Sequence, residues 1–494
     1  MELVDWLVIA VYAGAVLLLG YFAAGRAKSE TDYFLAGRRE GWAPVAASTW
    51  ATKLSALTFI GVPGAAISGN FAYMQLWFGS FLAAYVIGAF LLPEFYRLNV
   101  STVYEYLQHR IGRRARLAGT IMFIISRCLA SAVRLAGCAI AISVFFDLSL
   151  GTSIVAMAAI AAAYVLTGGL RAVIWTDVLQ LVLFLSGAVA AIVFVGFMVP
   201  GGFGGAVETA AQAGKFQVFD FSFDVADPMT FWTGNLFAFV LGIATGGADQ
   251  DIAQRALACP DARTARIAVL SAGAADLLST FLFLSAGAAV FSYYASFPQD
   301  AVTSLMEQSR HDYVFPHFIR HEMPAGLRGL LVAALFAAAM SSLDSALSGL
   351  ASSAYFDLGL GQRLGAGAGK GGTGSPGRGA LIGPRVLVVT FAAILALIAF
   401  WFGAQPSILW FGLKIMGYTY GGLLGLFLLA LLLPGRAMDL ASAIAAFSSI
   451  PAVIMVTQWG VGFEFAPVPW PWAVIVGTAW TFAVARMLGF LQRA

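Results

Sequence analysis

The sequence predicts an all-α polytopic membrane protein. Of the 494 residues, 60% are apolar and only 11% are charged, less than half the charged share usual for a soluble domain. The mean hydropathy is +0.85. An aromatic content of 14% excludes a disordered chain, and three cysteines exclude a secreted disulfide scaffold. Apolar runs of roughly 20 residues, the length of a membrane-spanning helix, recur along the whole chain.

These runs predict about thirteen transmembrane helices. We place them near 4–24, 43–67, 73–95, 118–145, 149–167, 176–199, 230–248, 264–293, 327–358, 384–403, 406–433, 437–457 and 468–490. The first run is not a signal peptide, because Glu2 and Asp5 precede it and no small-residue cleavage site follows. We therefore expect a multi-pass protein of the plasma or inner membrane.

The distribution of Lys and Arg predicts that the N-terminus lies outside and the C-terminus in the cytoplasm. In that orientation, 20 of the 28 basic residues are on the inner side. They are Arg26, Lys28, Arg38, Arg39, Arg97, Arg110, Arg113, Arg114, Arg116, Arg171, Arg255, Arg263, Arg266, Arg363, Lys370, Arg378, Arg385, Arg436, Arg486 and Arg493. The outer side has four, Lys215, Arg310, Arg320 and Arg328.

The loops give no sign of a separate soluble domain. The longest inner loop, near 359–383, is rich in glycine. It lacks the Ser or Thr after Lys370 that a phosphate-binding loop would have, so we interpret it as a flexible linker. Two polar outer stretches, near 200–229 and 294–326, are candidates for short helices.

Several charged residues fall inside predicted transmembrane segments. The basic ones are Lys53, Arg127, Arg134 and Lys414, and the acidic ones are Asp177, Asp249, Asp251, Asp276 and Asp344. Each costs roughly 2.5–3.5 kcal/mol to insert, so such groups line a cavity or have a partner. Internal salt bridges explain any single residue as well as a functional site does. For the whole set a functional site is favoured, because small residues pack a bundle at lower cost.

Two segments have the composition of broken helices. In the second segment Gly61, Pro63 and Gly64 follow a polar stretch, and in the seventh Gly246 and Gly247 precede Asp249. Helices interrupted at corresponding places, five segments apart, indicate an inverted repeat with a substrate and ion site at the breaks. A glycine-rich packing face is the alternative.

The ninth segment carries a stripe of small polar residues. Ala338, Ser341, Ser342 and Ser345 follow helical spacing, and Asp344 lies beside them. Hydroxyl, carbonyl and carboxylate oxygens suit a hard monovalent cation such as Na⁺, whereas a soft metal would need His or Cys. Helix packing is again the alternative, and the stripe alone does not decide.

Taken together, these motifs resemble the sodium:solute symporter family over nearly the whole chain. The matching stretches are DYFLAGRR at 32–39, SALTFIGVPG at 55–64, TVYEYLQHRIG at 102–112, TGGLRAVIWTDVLQ at 167–180, DQDIAQRALA at 249–258 and SSLDS at 341–345. The resemblance implies a LeuT-type fold with two inverted five-helix repeats at 43–199 and 230–433. A leading helix at 4–24 and two trailing helices at 437–490 complete the single transporter domain.

The resemblance also implies where sodium binds. The main site joins backbone oxygens of the first core helix to oxygens of the eighth, and the matching positions are Ala51, Leu54, Ala338, Ser341 and Ser342. Some members bind a second sodium, for which the matching positions are Asp177, Ser341, Asp344 and Ser345. Because Asp177 follows Thr176 at a predicted helix start, an N-cap role is its alternative.

The implied substrate pocket lies between the core helices. Its positions here are Lys53, Leu57, Thr58, Trp77, Ser80, Arg134, Asp249, Asp276 and Lys414. The hydrogen-bonding set of sugar-transporting members is not reproduced. The cations Lys53, Arg134 and Lys414 suit a carboxylate through charge-assisted hydrogen bonds, which slightly favours a small organic anion. Alternatively, Lys53 pairs with Asp249 or Asp276 and does not meet substrate.

We therefore expect a Na⁺-coupled symporter that imports a small polar solute by alternating access, with a monomer sufficient for transport. A proton-coupled or uncoupled transporter that uses Lys53 in place of sodium, and a sugar or polyol symporter, are the alternatives. An intramembrane enzyme is disfavoured, since the four histidines show no metal-binding spacing. No cofactor beyond Na⁺ as coupling ion and no nucleic-acid partner are expected; the remaining partners are the solute and the lipid bilayer.

Overall fold

The computed structural model describes residues 1–24, 35–165, 170–225, 227, 229–360, 382–403, 405, 407–435, 438–458 and 468–491. The described residues form helices and connecting turns, with no strand among them. This confirms the predicted all-α class. Most of the glycine-rich inner loop lies outside the described residues, as do the starts of the motifs at 32–39 and 167–180.

The helices are numbered in chain order. They are Leu3–Ala24 (α1), Trp42–Lys53 (α2), Ala56–Ser68 (α3), Phe71–Arg97 (α4), Val103–Arg110 (α5), Arg113–Phe146 (α6), Leu150–Val165 (α7), Leu170–Met198 (α8), Gly202–Gln212 (α9), Phe231–Gly247 (α10), Gln250–Ala256 (α11), Ala262–Ser296 (α12), Asp300–Glu307 (α13), Val314–His321 (α14), Leu327–Phe356 (α15), Ile382–Phe402 (α16), Ile408–Leu432 (α17), Asp439–Gln458 (α18) and Ala473–Leu491 (α19).

The length and apolarity of these helices fit a membrane protein. Nine of the helices in the described part of the chain can cross a bilayer, and the bent pairs α2–α3 and α10–α11 each pass the same test as a broken span. The apolar stretches Leu3–Leu19 of α1 and Leu150–Ala163 of α7 are shorter than these nine helices. The polytopic architecture is confirmed, whereas the count of thirteen crossings and the inverted repeat stay predictions.

The first broken span bends by 58° between α2 and α3. Leu54 and Ser55 have extended backbone there. The predicted break at Gly61, Pro63 and Gly64 is wrong, because α3 runs unbroken through all three. A proline within a membrane helix is tolerated when neighbouring groups compensate for its missing N–H.

The glycines of α3 allow close helix packing instead. A Cβ atom on Gly61 would lie 2.8 Å from Leu409 Cβ of α17, and one on Gly64 would lie 3.2 Å from the His311 carbonyl oxygen. Small residues at helix contacts let backbones approach closely in membrane bundles. The packing alternative therefore explains these positions.

The second broken span bends by 68° between α10 and α11. Asp249 lies at the bend with extended backbone, and its side chain accepts a hydrogen bond from the Asp251 amide at 2.9 Å. It thus forms the N-cap of α11. The predicted break next to Gly246 and Gly247 is confirmed.

The two breaks meet near the middle of the bundle. Helix α2 packs against α8, α11, α12 and α15, and α8 packs against α15. The end of α2, the start of α11 and the central turns of α8 and α15 thus surround one buried polar region. The outer stretches carry the predicted short helices α9, α13 and α14.

Candidate functional site

The break after α2 removes the helical donors of two backbone carbonyl groups. In a continuous helix the Ala51 carbonyl accepts from the Ser55 amide, and the Leu54 carbonyl accepts from the Thr58 amide. Here the Ser55 amide donates to Thr58 Oγ1 at 3.4 Å, and the Thr58 amide donates to the Ser55 side chain in a capping box. Unwound carbonyls of this kind coordinate cations in transporters.

A small cavity lies between the residues that carry these carbonyls, α15 and residues 180–184 of α8. Ala51, Leu54, Ala338 and Ser341 line one space of about 10 Å³, roughly the volume of a single water-sized sphere. Four of the five predicted sodium ligands therefore face the same space. The fifth, Ser342, is buried on α15 outside this lining, and its hydroxyl donates to a carbonyl of its own helix at 3.2 Å.

Asp177 orients Ser341 in this cavity. It is fully buried, and its two carboxylate oxygens accept hydrogen bonds from the Ser341 and Ser48 hydroxyls, each at 2.5 Å. Because Ser341 gives its hydrogen to Asp177, its oxygen lone pairs remain for a cation. The N-cap alternative for Asp177 is wrong, because α8 begins at Leu170, about two turns earlier.

Arg255 lies in the same cluster, although its place in the sequence predicts an inner loop. It is 1% exposed, because the 68° bend turns α11 back into the bundle. Its Nε donates to Ser48 Oγ at 2.9 Å and its Nη1 to Asp251 Oδ1 at 3.0 Å. Its Nη2 donates to Asp177 Oδ2 at 3.1 Å and to the Ser345 hydroxyl.

The remaining residues of the predicted second sodium site also lie here. Asp344 is 1% exposed, and its Oδ1 accepts hydrogen bonds from the Ser345 amide at 2.6 Å and the Ser345 hydroxyl at 3.1 Å. Its Oδ2 has no hydrogen-bond partner among the described residues. The structure thus gathers Asp177, Ser341, Asp344 and Ser345 around the Arg255 guanidinium.

A second buried guanidinium neutralises the break between α10 and α11. Arg127 of α6 is ion-paired with Asp249 at 3.3 Å and with Asp251 in closer contact. The Tyr420 hydroxyl donates to Asp249 Oδ2 at 2.6 Å. For these residues the salt-bridge interpretation holds.

Next to this network lies a cavity of about 220 Å³. Six of the nine predicted substrate positions line it: Lys53, Leu57, Thr58, Ser80, Arg134 and Asp276. Much of the remaining wall is apolar, including Leu76, Phe237, Leu241, Leu413 and Met416. Largely apolar walls with a few polar groups are typical of small-molecule sites.

Arg134 lacks the ion pairs of the other two guanidinium groups, although Arg127 lines the same cavity and also has one buried nitrogen, Nε, without a partner in the described structure. Arg134 lines the cavity, and its Nη1 is buried without a hydrogen-bond partner in the described structure. Neither an ion pair nor a hydrogen bond links it to any other described side chain. Leaving a buried charge unpaired is costly.

Lys53 and Asp276 share the other polar part of the cavity. Asp276 Oδ1 accepts a hydrogen bond from Ser279 at 3.4 Å, and no ion pair joins it directly to Lys53 in the described structure. Pairing of Lys53 with Asp249 is wrong, because Asp249 is engaged by Arg127 and Tyr420. Lys53 and Asp276 are therefore both open to the cavity.

Three predicted substrate residues do not line this cavity. The Trp77 indole donates to the Gly273 carbonyl at 2.8 Å, so it ties α4 to α12. Asp249 contacts Arg127 and Tyr420, which line the cavity, but does not line it itself. Lys414 lies 5.8 Å from the centre of the Tyr418 ring on its own helix. Predicted helical positions could not separate the cavity face of a helix from its neighbouring faces.

Among the polar residues that were not predicted, three contact the predicted acidic residues Asp177 and Asp249. Ser48 and Arg255 contact Asp177, and Tyr420 contacts Asp249. The DQDIAQR stretch was a signal for Arg255, since it begins with two buried acids that need a cation. Ser48 and Tyr420 gave no signal, because a single hydroxyl in an apolar helix is common.

Comparisons with known proteins show which family the chain belongs to. The sodium:solute symporter family matches residues 33–438. The sodium/sialic acid symporter of Proteus mirabilis is 31% identical over 363 residues, covering 72% of this chain and 71% of that protein. The human sodium-coupled monocarboxylate transporter 1 is 27% identical over 478 residues, covering 94% of this chain and 74% of that one.

A solved structure supports the fold. It is the substrate-bound outward-open state of a Na⁺-coupled sialic acid symporter, with a TM-score of 0.83 and 24% identity. The match covers 99% of this chain and 98% of that chain. At this identity the likeness shows the fold alone. From the family match and the similar transporters, the chain belongs to the sodium:solute symporter family and is a Na⁺-coupled solute symporter rather than an enzyme.

Proposed function

We propose that this symporter imports a small solute that carries a carboxylate group. The single observation that carries the proposal is the unpaired Arg134 guanidinium in the wall of the larger cavity. A guanidinium binds a carboxylate through two parallel hydrogen bonds. The apolar walls would cover the body of such a solute, and Lys53 and Asp276 would meet a second polar group.

Sodium occupies the small cavity in this proposal. Its ligands are the Ala51 and Leu54 carbonyls of the first broken span and oxygens of α15, from Ala338, Ser341 and Ser342. One Na⁺ suits oxygen donors and needs no soft ligand. By holding the end of α2 against α15, the ion stabilises the position of these two helices relative to each other.

The two cavities share one short stretch of backbone. Leu54 lines the small cavity, whereas Lys53 and Ser55 on either side of it line the larger one. An ion that fixes Leu54 therefore fixes the neighbouring substrate groups. The coupling is reciprocal, so the solute must strengthen sodium binding by the same factor.

We further propose that the N-terminus lies outside, the C-terminus lies in the cytoplasm and a monomer suffices for transport. In alternating access, movement of the two five-helix repeats against each other exposes the ion and substrate sites first to one side of the membrane and then to the other. The inward-negative potential contributes about 2.3 kcal/mol per charge per 100 mV to Na⁺ entry. The excess of Lys and Arg on the predicted inner side supports this orientation.

The first test is a thermal-shift screen of the purified protein with and without Na⁺. The compounds are carboxylates, sugars, sugar acids, amino acids and polyols. We expect a carboxylate-bearing compound to raise the melting temperature, and Na⁺ to enlarge the shift. A neutral sugar or polyol as the strongest sodium-dependent ligand would contradict the proposed substrate class.

The second test uses Arg134→Gln with the ligand that the screen identifies. Loss of a charge-assisted pair costs about 1.5–3 kcal/mol, so affinity should fall roughly ten- to 100-fold. Lys414→Met is the matched control, since it removes a membrane cation outside the cavity and should leave affinity unchanged. Undiminished binding to Arg134→Gln would contradict the assignment.

A separate uptake measurement, with Na⁺ replaced by choline, tests the coupling ion. Undiminished uptake would favour the alternative in which the Lys53 ammonium group takes the place of sodium.

A further inference from the structure

We infer that the Arg255 guanidinium takes the place of a second sodium ion, so that this symporter binds one Na⁺ when no solute is present. This inference rests on the proposed sodium site between α2 and α15. It concerns the neighbouring cluster of Asp177, Asp344 and Ser345. These side chains, with Ser341, are the oxygen donors of the predicted second site.

The first argument is geometric. A second sodium would have to contact oxygens of Asp177 and Ser345 at once. The Arg255 Nη2 group already bridges these two oxygens, donating to Asp177 Oδ2 at 3.1 Å and to the Ser345 hydroxyl. A cation between the same two oxygens would have to displace the guanidinium. The Asp177 and Ser345 oxygens therefore cannot hold an ion between them while Arg255 is in place, and Asp344 Oδ2 is the one carboxylate oxygen of the set without a hydrogen-bond partner in the described structure.

The second argument is that Arg255 is held firmly. Each of its three guanidinium nitrogens donates, to Ser48, Asp251, Asp177 or Ser345. The side chain is 1% exposed. Removing a fully paired guanidinium from such a place leaves buried acids without a counter-charge, which is strongly unfavourable. A sodium ion alone cannot replace its planar set of five N–H donors.

The third argument is the charge of the region. Four buried carboxylates, Asp177, Asp249, Asp251 and Asp344, lie near three guanidiniums, those of Arg127, Arg134 and Arg255. One sodium in the small cavity balances this set when no solute is bound. A second would leave an uncompensated positive charge in a dry interior.

The fourth argument concerns the extra carboxylate. Asp344 Oδ1 is occupied by the Ser345 amide and hydroxyl, and the charge of Asp344 acts on Arg255 electrostatically. In this arrangement Asp344 helps to retain the guanidinium. This accounts for the presence of two carboxylates, Asp177 and Asp344, where a lone monovalent ion would not need both.

The test is a count of ²²Na⁺ ions bound to the purified protein at equilibrium, without any solute. We expect one ion per chain, and still one ion per chain in Asp344→Asn and Ser345→Ala. Ser55→Ala, at the break that frees the main-site carbonyls, serves as the comparison, and there the affinity for Na⁺ should fall about fivefold. Two ions in the wild type, with one lost in Asp344→Asn or Ser345→Ala, would overturn the inference.

A gain of binding provides the second measurement. In Arg255→Gln the bridge between Asp177 and Ser345 is removed, so we expect a second Na⁺ to bind. Misfolding cannot imitate such a gain. A monodisperse Arg255→Gln protein that still binds a single ion would overturn the inference. No ion bound to the wild type would instead contradict the proposed main sodium site, while agreeing with the assignment of Arg255.

Discussion

Three buried guanidinium groups in this bundle have three different environments. Arg127 is paired with two aspartates, and Arg255 is enclosed by Asp177, Asp251 and hydroxyls. Arg134 has neither kind of partner among the described residues and faces the larger cavity. The same residue type thus stabilises the fold at two positions and, in our proposal, binds substrate at the third. Only the contacts distinguish these roles.

At the residue scale, the sequence indicates which positions carry unusual charge but not which charges meet. Lys53, Arg134 and Asp276 were predicted to line the substrate pocket, and all three line the larger cavity, whose role as that pocket stays a prediction. Arg255 was predicted to lie in a loop, because a loop and a short helix that re-enters the bundle have similar composition. The direction of the chain after Asp249 depends on tertiary packing.

Asp312 provides a residue-scale prediction of pH dependence. It lies in the segment before α14 that is predicted to be on the outer side, and its Oδ2 accepts a hydrogen bond from the Ile408 amide at 2.6 Å. Burial raises the pKa of Asp312 from 3.8 to about 6, against the opposing effect of that amide. An acid whose pKa is higher in the folded chain contributes stability below its unfolded pKa, and this contribution is lost as the pH rises through about 6.

We therefore expect Asp312→Asn to be more stable than the wild type at pH 7.5 and no more stable at pH 4. A shift of about two pKa units corresponds to about 3 kcal/mol at most. Thermal unfolding in detergent at several pH values measures the difference. Asp300→Asn, at an exposed position of the same outer segment, is the control. A difference that is equal at both pH values would contradict the explanation.

At the element scale, the first broken span shows why composition located its break wrongly. Glycine and proline favour interruption in general, yet Gly61 and Gly64 serve helix contacts here. The interruption comes from Ser55 and Thr58, whose reciprocal hydrogen bonds redirect two backbone amides. A capping box within a long apolar run is thus a better indication of the break than the glycines that follow it.

Ser55→Ala tests the role of this capping box. Losing an N-cap side chain costs about 1 kcal/mol, and the released amide of Thr58 can then bond to the Leu54 carbonyl. We expect the half-saturating Na⁺ concentration to rise about fivefold. Titration of Na⁺ by thermal shift or ²²Na⁺ binding measures it.

Ser68→Ala is the matched control for this variant. Ser68 ends the same helix, and its hydroxyl donates only within that helix, to the Gly64 carbonyl at 2.9 Å. Its substitution should leave Na⁺ binding unchanged. An equal loss of Na⁺ affinity in both variants would show a general effect on α3 rather than an effect on the freed carbonyls.

At the scale of the whole molecule, the break after α2 connects the proposed ion site to the proposed substrate cavity. Leu54 lines the small cavity, and its neighbours Lys53 and Ser55 line the larger one, so a movement of this backbone changes both cavities. In our proposal, binding energy passes between the two cavities over this short distance, without any long chain of contacts. This arrangement also explains why α2 contacts α8, α11 and α15 together.

The sequence predicted this architecture well because membrane insertion leaves a clear hydropathy signal. The serine stripe of α15 and the polar end of α2 could be paired only through the resemblance to a family, since nothing local links positions almost 300 residues apart. The faces of α4 and α17 could not be predicted, as Trp77 and Lys414 show. In an apolar helix, every face has similar composition.

The most direct test of the account is the reciprocity of sodium and solute binding. Ligand affinity is measured at increasing Na⁺, and Na⁺ affinity at saturating ligand, in the wild type and in the double variant Ser341→Ala, Ser342→Ala. We predict equal coupling factors above one in the wild type and a factor near one in the double variant, with Ser352→Ala behaving as wild type. Full coupling in the double variant would contradict an ion held between α2 and α15.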